Sequence, residues 1–398
     1  MLLAIFLGVS CVKAVWRSTS GVEEDDFDLV SVEYDRVVGN ADKFVSEDPV
    51  TITSFPANNS EGGLHDYYSE GKYWFPDPEN PDGPYIRKDG ETNPNNFMQH
   101  QEALVRFNQI GGALASAYLI TGEEKYAEHF VKHVKAWYID EETKMNPHMN
   151  YSQAVKGISP GRSTGVIDGL HMIEAARGIK VLSGSPSFPP EMEDEVIDWF
   201  RSYLDWMNTS DLGMDERKAP NNHAVNWAVQ AATFADLVGD MDTIRWVQNE
   251  FKTVYLPNMQ REDGAFPLEL ARTKPYQYSL FQLDAMSGVA QIASTEDCDL
   301  WAFEMDDGRG MKKAFDFMFP YVEDKDSWFM EPDVEYFDRS PQRHSAFLYA
   351  GFHLNRRDYI DKWVSIDADP EDIEMLKFVS MRYPMLFMEP SELKIPKN

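Results

Sequence analysis

The chain has 398 residues, 43% of them hydrophobic and 13% aromatic, which is enough to bury one large core or two domains. A formal net charge of −30 and a sequence pI of about 4.6 repel nucleic acid and anionic membranes, so neither is expected as a partner. The same surface repels a polyanionic ligand unless the cleft that takes it is locally basic.

Residues 1–14 form a short apolar run ending in Val-Lys-Ala and read as a secretion signal cleaved after Ala14. The expected compartment is extracellular, or periplasmic or lipid-anchored through Cys11 in a bacterium. No other apolar run is long enough to span a bilayer, so no membrane contact is expected once the signal is removed. Cys298 is then the one remaining cysteine, and stability must rest on the core rather than on an internal disulfide. Sequons at Asn58, Asn150 and Asn208 suit a glycosylated secretory protein.

Residues 15–60 are acidic and polar and predict an irregular arm over a main domain at 61–398. Residues 61–95 are rich in Gly, Pro, Asp and aromatics. A long turn-rich loop of this kind is more often functional than a linker. Tyr67, Tyr73, Trp74 and Tyr85 are candidate sugar-binding rings in a lid, because aromatic faces beside polar tips suit the flat faces of sugars. The alternative is that they cover one end of the core.

From residue 99 the pattern is helical. Around 115–126, 232–242 and 350–359 an apolar helix end meets a Gly or Asn stop, a polar cap and a new amphipathic helix. Further helices fit about 164–184, 191–207, 241–256, 276–293, 300–318 and 371–382. Repeated helical hairpins predict an all-α fold, an (α/α) toroid formed as an incomplete barrel of six to seven hairpins and acting as a monomer. His129 and His133 stand at i,i+4 without the glutamate of a zinc-protease motif, so a solvated face is expected there and no metal or cofactor.

Two stretches carry chemistry. In Ala219-Pro220-Asn221-Asn222-His223, proline and an asparagine cap open a buried helix, where unsatisfied N–H groups favour an anion. In the segment from Arg261 to Phe281, Arg272 precedes Tyr278 by six residues, with Tyr278 near a helix start. Cleaving a uronic-acid polymer without water requires removal of the C5 proton beside a carboxylate. Amides, an imidazole and a cation around that carboxylate stabilise the charge that builds, and a tyrosine serves as base where neighbouring cations favour its phenolate. Asn221, Asn222, His223, Arg272 and Tyr278 form such a set. A glycoside hydrolase on the same kind of toroid, using paired carboxylates, or a non-catalytic sugar-binding toroid are the competing readings.

The Asn-Asn-His helix start, the DGAFPLELART segment with its following YQY, and the loop YWFPDPENPDGPYIRKDGE resemble the alginate-lyase-type polysaccharide lyases, over about residues 61–355. These are the toroidal enzymes of lyase families five and thirty-eight, which cleave mannuronan or glucuronan by β-elimination. The resemblance implies an anionic polysaccharide substrate, with Asn222, His223 and Arg272 neutralising its carboxylate and Tyr278 as catalytic base and acid. The interval from Arg272 to Tyr278 is one residue shorter than in family five, and Ser279 follows where that family has His, which favours the family-thirty-eight type. Segments around Arg162, Arg343 and His344 are similar to regions near the cleft, which makes these three secondary binding candidates.

Overall fold

The computed structural model describes residues 27–389 and residue 393, so the signal expected at 1–14 lies outside the described residues. The helices are α1 (Leu29–Phe44), α2 (Gln99–Thr121), α3 (Glu124–Tyr138), α4 (Ile173–Leu182), α5 (Pro190–Thr209), α6 (Asp211–Glu216), α7 (Asn222–Val238) and α8 (Met241–Glu250). Then come α9 (Leu256–Met259), α10 (Pro267–Leu270), α11 (Pro275–Ala293), α12 (Met311–Glu323), α13 (Ser345–His353), α14 (Arg357–Ser365) and α15 (Ile373–Leu376). Four short strands, β1 (Tyr68–Glu70), β2 (Trp74–Phe75), β3 (Ile86–Arg87) and β4 (Tyr151–Ala154), pair β1 with β4 in parallel and β2 with β3 antiparallel.

An inner row of α2, α4, α7, α11 and α13 packs neighbour on neighbour, and outer helices lie against it: α1 and α3 on α2, α5 and α8 on α7, α12 on α11, α14 on α13. This is an α/α toroid. The inner helices carry small residues, which lets backbones approach. A Cβ at Gly111 or Gly178 would lie 2.7 or 2.8 Å from the Phe130 ring, so α2 and α4 both need glycine where α3 presses in. The three hairpin signals fall at left-handed residues: Gly122 (φ 68), Gly239 (φ 77) and Asn355 (φ 54).

Several expectations are corrected. The irregular arm contains α1, capped by Asp28, whose Leu29, Val30, Val37, Ala41 and Phe44 belong to the main core. Residues 163–172 are 3₁₀ rather than α, pressed close by Gly165 against Ser152 and by Gly169 against Tyr203. The helix expected at 241–256 passes through a π turn, Phe251–Tyr255, just before Pro257, which has no N–H to give the preceding turn. Residues 300–310 form turns because Asp299 and Asp307 side chains capture backbone N–H groups that a helix would use. Between 371 and 382 the one helix is four-residue α15; beyond it the chain runs through the ring, with the Tyr383 N–H donating to buried Glu174 at 2.7 Å.

Candidate active site

The N-termini of α7 and α11, the aromatic loop and the C-terminal segment meet around one group of side chains. Asn221 occupies the N-cap position of α7 but makes no side-chain cap. Glu269 on α10 does that work, accepting from the Asn222 N–H at 2.9 Å and from Asn222 Nδ2 at 2.8 Å. The anion favoured by this helix start is therefore internal to the protein. Asn222 Nδ2 retains a second hydrogen, while its buried Oδ1 has no donor among the described residues.

His223 follows on the same turn. Its Nδ1 lies 2.6 Å from Oε1 of buried Glu216, the last residue of α6. Burial disfavours the imidazolium, but the opposing pull of Glu216, joined by Glu269, raises the His223 pKa above 6.5. Nε2 makes no hydrogen bond among the described residues, and the side chain is partly exposed.

Across the site the Arg272 guanidinium lies 4.0 Å from the centroid of the Tyr278 ring. Arg272 Nε and Nη2 donate to the two oxygens of Asp89 at 3.1 and 2.9 Å, and Thr273 Oγ1 donates to the same carboxylate at 3.0 Å. Burial would raise the Asp89 pKa, but Arg272, Arg87 and Thr273 hold it down at about 2. Gly90 (φ 79) makes the approach possible, since a Cβ there would sit 2.2 Å from Thr273 Oγ1. Tyr73 Oη, from the same loop, lies 2.6 Å from Tyr278 Oη. Burial pushes the Tyr278 phenol well above 10 and Tyr73 adds to this, whereas Arg272 and Lys72 pull it down. The expected tilt toward phenolate is thus absent at rest: burial outweighs both cations.

The C-terminal segment braces the loop. Lys72 pairs with Glu374, which Lys377 also engages at 2.6 Å. Burial works against the Glu374 carboxylate, but the two lysines bring its pKa down to about 2. Lys274, fully buried, donates to Glu335 at 2.9 Å, and Glu335 also accepts from the Thr92 N–H and Oγ1.

Among the remaining candidates, Trp74 lies beside the centre with the Arg162 guanidinium 5.5 Å from its ring. Arg162 donates to the carbonyl and side-chain oxygens of Gln153 and has no carboxylate within ion-pair distance among the described residues. Tyr85 sits farther out on the loop under Lys156. Three candidates fall elsewhere. Tyr67 is fully buried and donates to Asp168, so it is core rather than lid. Arg343 stacks on Trp363 at 3.5 Å and pairs with Glu33 of α1 at 2.9 Å, a structural weld. His344 is buried at the N-cap of α13, 3.4 Å from buried Asp284. His129 and His133 are not solvated: both are buried and direct Nε2 to the Glu47 carbonyl. Among the described residues no cluster of His, Cys, Asp and Glu could hold a metal ion, and no helix is long and apolar enough to cross a membrane.

Sequence reasoning missed Glu216, Glu269 and Asp89. Glu269 had a signal: it stands three residues before Arg272 inside the DGAFPLELART segment, one turn of chain away. Asp89 lay inside the quoted loop but resembled any turn aspartate, and nothing in the pattern separates Glu216 from the chain's many surface acids.

A toroid that gathers an Asn-His pair, a tyrosine under an arginine and an aromatic loop at one centre belongs to the class of polysaccharide lyases. A family model described as Alginate lyase matches residues 51–328, and the chain belongs to that family. The crystal structure of an alginate lyase from Bacteroides ovatus is 30% identical, covers 87% of this chain and 93% of its own, and superposes with a TM-score of 0.78. A variant of alginate lyase A1-III complexed with a tetrasaccharide is 17% identical over 82% of this chain and 88% of its own, with a TM-score of 0.54. An apo form of A1-III is 16% identical over 81% and 86%, with a TM-score of 0.52. These last two share the fold. No curated protein matches the chain. The family match ends before Glu335 and Glu374, so the C-terminal braces lie outside it.

Proposed function

We propose that this lyase cleaves β-1,4-linked mannuronate in alginate by β-elimination, with Tyr278 as both base and acid. The observation that carries this reading is the face of Arg272 at 4.0 Å from the Tyr278 ring, with the Asn222-His223 pair on the same centre. The substrate carboxylate receives His223 Nε2–H and the remaining Asn222 Nδ2 hydrogen, which acidifies the C5 proton. Tyr278, neutral at rest, first gives its proton up to solvent, and the phenolate left beneath Arg272 takes the C5 proton. The C5–H electrons form the C4=C5 bond, the C4–O4 bond breaks, and the new Tyr278 O–H protonates the departing O4. Tyr278 is left as the phenolate that began the step and regains its resting proton from solvent. Trp74 and the carboxylate-free guanidinium of Arg162 form the platform for a neighbouring uronate, a local basic spot on an acidic surface. Export and action as a monomer belong to the same proposal.

Mannuronate and glucuronate present the C5 proton and the O4 leaving group on one side, so one residue serves both. Guluronate, inverted at C5, needs a second base, and a protonated His223 is not free to be one. The test is product analysis on polymannuronate, polyguluronate and glucuronan separately. The expected product is an oligosaccharide one water lighter than a hydrolysis fragment, formed fastest from polymannuronate. A hydrolytic product, or a preference for polyguluronate, overturns the assignment.

A further inference from the structure

We propose that Glu216 is a positioning residue for the elimination: it holds His223 as the imidazolium, with Nε2–H presented to the substrate carboxylate. The inference rests on the lyase reading above and adds to it the residue that decides whether His223 attracts or repels the substrate.

A carboxylate only accepts, so the 2.6 Å contact fixes a proton on His223 Nδ1. If the ring were neutral, Nε2 would then carry a lone pair toward the incoming uronate, and two acceptors would face each other. Only the doubly protonated ring donates at both nitrogens. Glu216 is 2% exposed and its carboxylate forms this one hydrogen bond among the described residues, so its charge is matched mainly by His223. Its support is rigid. Ser210 caps α6 by accepting from the Gly213 N–H at 3.0 Å, and a Cβ at Gly213 would meet the Met207 carbonyl at 2.3 Å. Other charges act on the same ring: Glu269 from α10 supports the imidazolium, and Arg272 from the turn beyond it opposes. Glu269 cannot substitute for Glu216, because both of its oxygens are committed to Asn222. Arg162 lies within electrostatic range of Glu216 and draws on the same negative charge.

The experiment compares wild type, Glu216→Gln and Glu216→Asp by two readouts. The first is the ¹⁵N-imidazole NMR titration of His223, assigned with His223→Ala. The second is kcat/KM on polymannuronate across pH. In Glu216→Gln the His223 titration should move to lower pH, and kcat/KM should fall on the order of tenfold or more on the alkaline side while changing least on the acid side. Glu216→Asp should recover part of both. An unchanged His223 titration in a folded Glu216→Gln protein overturns the proposal, as does a uniform loss of rate across pH. If Glu216→Gln does not fold, an alkaline limb left in place in Glu216→Asp overturns it equally. A shifted titration in a protein that eliminates no uronan leaves the hold on His223 standing and removes the mannuronate reading instead.

Discussion

Asp89→Asn is the sharpest probe of how the aromatic loop serves the centre. The native carboxylate takes two hydrogen bonds from Arg272, two from Thr273 and one from Arg87, with side chains 17% and 26% exposed at the Arg272–Asp89 pair. Hydrogen bonds to charged groups contribute about 1.5–3 kcal/mol each when desolvated; with a quarter of the carboxylate in solvent, about 2 kcal/mol for the whole latch is reasonable. Released, the loop loses its hold on Arg272 and with it the register of Tyr73 against Tyr278. A loss of about 2 kcal/mol corresponds to roughly a 30-fold fall in kcat/KM. Amide hydrogen exchange across residues 72–92 should rise in parallel. The sign of the pH dependence is also fixed. An acid depressed in the folded state stabilises above its unfolded pKa of 3.8 and loses that contribution as pH falls through about 2. The variant's deficit should therefore stay flat from about pH 5 to 8. Unchanged kcat/KM together with unchanged exchange would refute the latch.

Trp74→Ala should raise KM about tenfold with a smaller change in kcat, since it removes a sugar platform and its cation–π partner but no reacting atom; a loss of melting temperature with unaltered kinetics would make Trp74 a structural residue. Arg343→Ala should cost about 1–3 kcal/mol in denaturant unfolding while leaving kcat of the folded fraction intact, because it removes the stack on Trp363 and one of the two guanidiniums on Glu33, Arg36 supplying the other. Glu374→Gln should lower the Tm at pH 7. Its carboxylate is depressed to about 2, so that contribution is complete above the unfolded value of 4.5, fades as pH falls through about 2, and the variant and wild type should converge there. A Tm difference that persists unchanged in acid would point to packing instead.

What the sequence makes legible is local. Glycine and asparagine stops are readable because only a left-handed residue ends a helix that way, and Gly122, Gly239 and Asn355 all do so. Helix α11 and the helix start at Asn222 follow from periodicity and from the prolines at or just before their starts, so Tyr278 and His223 stand in the opening turns of their helices. Long-range pairing leaves no such mark. Asp89 meets Arg272 across 183 positions, and Arg343 is drawn away from the cleft by Glu33 on a helix that polar composition conceals. Tyr67 fails for a related reason. An aromatic loop residue reads the same whether its hydroxyl meets solvent or, as here, a buried aspartate.

The central claim is that Tyr278 moves the proton, and its hydroxyl is the atom to remove. Wild type and Tyr278→Phe are to be followed on polymannuronate by ultraviolet absorbance of the C4=C5 unsaturated product, with oligomannuronate binding measured in parallel. The account requires rapid growth of absorbance for wild type, a loss on the order of 10²–10⁴-fold in the variant, and binding within a few-fold of wild type. A Tyr278→Phe enzyme that still forms the unsaturated product at close to the native rate would contradict it.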